Sequence, residues 1–249
     1  MKMEMKFAKI AVFLIALVVF SAGVYAQSNP IGPSSITRGD SQTATAPGGV
    51  QQEAEGGNVT GLLVSGTRAS QRWQGFFGNV TGTIALDDAA GNSLYQWADD
   101  VPQGEIYAVN SSTAPAWSNV TCFNHTKSST AQRLTLSALE SNLGMSALDE
   151  DGVNETFNHT TKQPITIGSV TLTSDCKHVS LNVNDAYDAA RFNETILIDN
   201  GTRHSVIYTA ILEQSATGFQ NHPADFEMIV GEDGDIVAST PYWFYVELS

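Results

Sequence analysis

Asparagine carries most of the chemistry legible in this chain of 249 residues. Nine of its fifteen Asn stand in Asn-x-Ser/Thr with x other than Pro: Asn58, Asn79, Asn110, Asn119, Asn124, Asn154, Asn158, Asn193 and Asn200. Ser and Thr fill 46 positions, so about three such triplets are expected by chance. The triplet is the acceptor for glycan transfer to the side-chain amide, and it marks exposed backbone in an exported protein. An excess of this size implies a glycan coat and a eukaryotic or archaeal origin.

The other chemistry-bearing residues are few. An isolated pair of cysteines, Cys122 and Cys176, reads in an exported chain as a disulfide rather than a metal site, because no His or Cys stands at ligand spacing. Closing that loop stabilises by about 4 kcal/mol on chain-entropy arithmetic. Calcium is the one cation the pattern suggests. Asp149 and Asp151 flank Glu150 ahead of Gly152, and Asp233 and Asp235 flank Gly234, which puts hard oxygen ligands at alternate positions. Neither loop has the closing Glu of a full calcium loop, so both read first as solvated turns, and no metal or other cofactor is expected.

No catalytic residue is expected, and the chain reads as a non-enzyme. His125 and His159 are the middle residues of Asn-His-Thr triplets, and His178, His204 and His222 show no ligand spacing. A Gly-x-Ser-x-Gly elbow and a Gly-rich phosphate loop with Lys are both missing. A glycosidase would need only two facing carboxylates, which leave no local motif, and nothing in the sequence singles out a pair.

The elements that must position these groups are short strands. Lys2, Lys6 and Lys9, an apolar run over 10–20 and Val24-Tyr25-Ala26 make residues 1–26 a signal peptide cleaved before Gln27. The run is short for a spanning helix, which needs about 20 residues, so no membrane anchor is expected after cleavage. Residues 27–57 are Ser, Thr, Gln, Ala, Gly and Pro, a flexible tail that buries too little to order itself. Arg38-Gly39-Asp40 reads as a solvated turn. Ser35-Ile36-Thr37 and Val50 are the anchors by which such a tail would add to a neighbour's sheet.

Residues 58–249 are expected to form one β domain. Its organising stretch is 72–86, a buried aromatic strand running through an exposed turn at Asn79 into a second strand. An apolar run over 59–67 precedes it. Further strands are expected at 93–98, 105–109, 165–172 with a bulge at Gly168-Ser169, 179–183 and 226–230. Residues 196–198 and 205–212 read as a hairpin around Asn200-Gly201. Residues 242–248 close the domain with a strand apolar on both faces. Residues 110–130 read as a loop pinned by Trp117 and Phe123. Leu134, Leu136, Leu139 and Leu143 give one short helix ending near Gly144. The fold class is therefore all-β, an antiparallel β-sandwich of jelly-roll style with one short helix and a disordered N-terminal tail.

The net charge is −14, and removing the basic signal segment makes the remaining chain −16. That field repels nucleic acid and anionic lipid, which leaves the chain itself or other surface proteins as partners. The aromatic residues also leave open a carbohydrate- or ligand-binding module, with calcium as a conceivable partner to it.

Residues 72–82, together with the signal segment and the density of sequons, resemble exported archaeal cell-surface proteins. The resemblance implies a β-rich surface glycoprotein, some of whose counterparts assemble into filaments by strand exchange. It implies no particular functional residue.

Overall fold

The computed structural model describes residues 29–45, 47–99, 103–126, 134–146, 148–160, 164–172, 176–184, 186–201, 205–234 and 239–248. Residues 1–26, read above as a signal peptide, and Asp235 lie outside the described residues.

The chain is all-β and antiparallel, as the turn-punctuated pattern implies. In order its strands are β1 (Trp73–Gly78), β2 (Gly82–Asp87), β3 (Ser93–Asp99), β4 (Gly104–Val109), β5 (Val120–Cys122), β6 (His159–Thr160), β7 (Ile165–Ile167), β8 (Val170–Leu172) and β9 (Lys177–Ser180). There follow β10 (Asn182–Val183), β11 (Ala186–Tyr187), β12 (Asn193–Asp199), β13 (Val206–Ile211), β14 (Ala216–Thr217), β15 (Pro223–Ala224), β16 (Phe226–Gly231) and β17 (Trp243–Leu248). Two short helices, α1 (Leu136–Asn142) and α2 (Val153–Thr156), interrupt them.

The main sheet has seven strands in the order β17-β4-β13-β12-β9-β6, with β5 beside β12. Residues that face each other across its ladders alternate between its two sides. Ile196, Tyr208, Ala108 and Phe244 share one row, and Leu197, Ile207, Val109 and Trp243 share the neighbouring one. Both sides are covered. The β1–β16 ladder and the helices lie over the first, where Phe76, Met228, Val230, Leu139 and Phe157 pack against Ile196 and Tyr208. Trp117 and the β7–β8 hairpin lie over the second, where Ile165 and Ile167 meet Tyr107 and Leu197. This two-sided cover explains the apolar character of both faces of β17.

Several local expectations are corrected. The stretch 72–86 runs strand, turn, strand, but its first strand is half-exposed rather than buried, and because β1 pairs with β16 and β2 with β3 the turn at Asn79 joins two separate ladders. The apolar run over 59–67 forms no strand and is exposed throughout. Gly168-Ser169 is the turn of the β7–β8 hairpin, with Gly168 at φ +53°, because the phase of the apolar residues inverts when the chain reverses. The β12–β13 hairpin exists, but its ladder stops at Asp199 and Ser205. Asn200 and Gly201 keep ordinary backbone, because the Asp199 carboxylate accepts the Gly201 N–H at 2.8 Å and shapes a longer loop. The helix is shorter than its leucine periodicity because Thr135 caps it, accepting the Ala138 N–H at 3.2 Å.

Residues 110–126 are less open than their composition suggests. Trp117 and Phe123 are buried, and β5 joins the main sheet opposite Leu197 and Asp199. Cys122 on β5 is bonded to Cys176 just ahead of β9, with Cα atoms 5.0 Å apart.

Candidate functional site

Three features of the surface could carry function: a hollow lined by carboxylates, an open sheet edge and an exposed hairpin. The hollow lies at the end of the main sheet where β4 begins and β17 ends. It measures about 340 Å³ and is lined by Gly104, Glu105, Thr166, Ile211, Leu212 and Glu247. Gly104 opens β4 at φ +117°, and a side chain there would run into the carbonyl of Glu247, so only glycine lets β4 and β17 close together at this point.

Glu105 and Glu247 face each other directly across the β4–β17 ladder. Burial, reinforced by the Glu247 charge, raises Glu105 to about 7. Glu247 is also raised, by burial, against the Gly168 N–H and the Tyr107 hydroxyl. Both Glu247 oxygens have partners: Oε2 accepts from Tyr107 Oη at 3.1 Å and Oε1 from the Gly168 N–H at 2.8 Å. Those bonds fix the β7–β8 hairpin to β17, so Glu247 is held as a structural bracket. Sequence reading missed the pair. Its signal was parity: Glu105 shares the inward phase of Tyr107, and Glu247 that of Tyr245.

The open edge belongs to β17. Among the described residues its one strand-like neighbour on the outer side is Ile31, which both gives its N–H to the Val246 carbonyl at 3.0 Å and accepts the Val246 N–H at 2.8 Å. Because both polar groups of Val246 point outward, those of Phe244 and Leu248 point the same way. Among the described residues no other backbone group reaches them. The tail is fixed further by buried Pro30 and by Asn29, which packs on Gly168. The anchor is therefore Ile31, whereas Ile36 and Val50 stay exposed. Pro30-Ile31-Gly32 gives little sequence signal, since a single apolar residue between two helix-breaking ones reads as linker.

The exposed hairpin is β2–β3. The register places Ile84 opposite Trp97 and Leu86 opposite Tyr95, so these four side chains form one face. They remain 50–58% exposed, and the Tyr95 and Trp97 rings meet edge-on at 4.8 Å.

The sequons separate by environment. Asn58, Asn79, Asn110, Asn119, Asn158 and Asn200 are exposed; Asn124, Asn154 and Asn193 are half-buried. Asn119 and Asn200 meet at one end of the main sheet, where the Asn200 N–H donates to the Asn119 carbonyl at 3.2 Å, and Asn110 follows β4 at that same end. The Asn193 side chain accepts from Ser180 Oγ at 2.7 Å.

The acidic turns act as turn locks. The Asp149 carboxylate accepts from both the N–H and the hydroxyl of Ser146, at 2.7 and 2.8 Å, and Asp151 accepts from Ser70 Oγ at 2.6 Å. Arg72 donates to the Asp233 carbonyl and, at 3.4 Å, to that of Leu143. Among the described residues no three His, Cys, Asp or Glu gather at metal-holding distance. His159 and His178 face each other across β6 and β9 with ring centroids 5.5 Å apart. His125 is held down to about 4 by burial, with a contribution from Lys177.

Comparisons with protein-family models, curated proteins and solved structures return no match. Among the described residues no helix is long and apolar enough to cross a membrane.

Proposed function

We propose that this chain is an exported, glycosylated, non-enzymatic subunit of a cell surface, structural or adhesive, which self-associates by adding its N-terminal segment as a strand to a sheet edge. The carrying observation is the two-bond bridge between Ile31 and Val246. It supports an edge on β17 that accepts residues 29–33 as an antiparallel strand. Within one chain the segment closes its own edge; the same contact made to a neighbour's β17 would extend the sheet from copy to copy. The disulfide suits an oxidising compartment, the sequons supply a coat over the other faces, and the acidic surface limits unspecific contact.

Negative-stain imaging and sizing of the mature chain, residues 27–249, test this. High-mass assemblies are expected. They should vanish on deletion of residues 27–57 and fall sharply with Ile31→Pro, which removes one of the two backbone bonds. Assemblies that survive both changes would sink the reading.

A second reading, a carbohydrate- or ligand-binding module, is favoured by the solvent-facing Tyr95–Trp97 pair. It calls for a monomer whose glycan-array binding persists without residues 27–57 and is lost with Trp97→Ala.

A further inference from the structure

Large apolar side chains left in water crowd most densely in two places. One is the β2–β3 face of Ile84, Leu86, Tyr95 and Trp97; the other is the upstream segment with Val59, Leu62, Leu63 and Val64, which are 62–102% exposed. We propose that two copies of this chain form a reciprocal dimer in which residues 59–64 of each copy lie against the β2–β3 hairpin of the other.

Both elements are incomplete alone. A two-stranded ribbon is marginal in water without a third strand or a layer over its apolar face, and among the described residues β2 and β3 pair only with each other. The segment is extended, and among the described residues no backbone hydrogen bond ties 59–66 to any strand. An extended apolar segment and an open ribbon are the two halves of a strand-addition contact.

Charge selects a second copy through these faces. Two chains of this acidity repel each other over most of their surfaces, but residues 58–67 carry no charge, and neither do the four facing side chains of the ribbon. The contact joins the neutral parts of an acidic molecule.

Area selects reciprocity. Neighbours in an extended segment point to opposite faces, so Val59 and Leu63, the most exposed of the four, meet the ribbon, and one contact buries roughly 400 Å². One such contact is too small to hold, and two related by a two-fold axis bury roughly 800 Å², the size of a weak, concentration-dependent interface. The eight residues 65–72 span up to about 28 Å, enough for the segment to leave its own domain. A glycan on Asn58 would stand at one end of the segment and leave Leu62, Leu63 and Val64 clear.

This dimer uses neither residues 27–57 nor β17, so it stands or falls apart from the edge-strand reading. Sedimentation of the mature chain over a concentration series is the test, with Leu62→Asp/Leu63→Asp in the segment and Tyr95→Ser/Trp97→Ser in the ribbon. A dimer that survives deletion of residues 27–57 is expected, with its Kd raised about a hundredfold or more by either pair. The segment variant keeps the test sound if the ribbon variant misfolds, because Leu62 and Leu63 are 62% and 101% exposed in the monomer. In addition, oxidised Leu63→Cys/Leu86→Cys should run as a covalent dimer on a non-reducing gel. A monomer at about 100 μM, a dimer indifferent to the segment variant, or a cross-link within one chain overturns the proposal.

Discussion

Glu105 shows how a single side chain sets a pH dependence in this fold. Its carboxyl is raised to about 7 from an ordinary value near 4.5, first by burial and then by the Glu247 carboxylate opposite. A folded-state value above the unfolded one favours the protonated group in the native protein. Its contribution to stability is therefore fully present below about 4.5 and is lost as pH rises through 7. Glu105→Gln keeps the shape and removes the ionisation. It should stabilise the protein by about 2 kcal/mol at pH 8 and change little at pH 4, as read from urea midpoints at the two pH values. Equal gains at both would show that packing rather than charge is responsible. Glu194 has the same logic without a neighbouring carboxylate: burial raises it well above its usual range, while Oε2 accepts the Ile229 N–H at 2.8 Å. Neither was legible as special in the sequence, since an acidic residue at a strand position looks solvent-facing until its ladder partner is known.

At the scale of elements, sequence pattern located strands better than their partners. Sequence pattern marks 105–109, 226–230 and 242–248 as strands that the structure contains, whether by alternation, as in 226–230, or by a run apolar on both faces, as in 242–248, because such patterns are properties of each strand alone. Pairing depends on chain reversals that small residues permit without specifying, which is why Gly168 read as a bulge and the separate ladders on either side of Asn79 went unread. Cysteine pairing was legible, because two cysteines leave one intramolecular choice. The Cys122–Cys176 bond ties β5, a three-residue strand, to the chain entering β9, across a sequence separation of 54. Strands this short have little independent stability. Cys122→Ser/Cys176→Ser should cost about 4 kcal/mol and lower Tm by roughly 8–16 °C for a domain of this size. Calorimetry of the variant against the oxidised protein measures it. A loss under about 1 kcal/mol would mean that the unfolded chain already holds these segments together.

At the scale of the whole molecule, the fold leaves the sequons unequally accessible. Sequons are visible in sequence, but their accessibility is not, because burial of a triplet depends on the strand that contains it. Asn110 and Asn200 are exposed at one end of the main sheet, outside its ladders, whereas the Asn119 triplet runs into β5, where Val120 is buried and Thr121 pairs with Ile198. Asn193 differs. It begins β12, its side chain accepts from Ser180 Oγ, and the next two residues of its triplet, Glu194 and Thr195, are only 1% and 2% exposed. Glycan transfer needs the whole triplet free of its ladder, and freeing it means undoing pairing to β9 and β13 in the middle of the main sheet. In the glycosylating compartment we infer for this chain, Asn193 should therefore carry far less glycan than Asn110 and Asn200. Mass spectrometry of the native protein's peptides after enzymatic deglycosylation in heavy-oxygen water reads occupancy site by site. Full occupancy at Asn193 would place transfer before the main sheet closes, and burial in the folded state would then no longer predict which sequons are used.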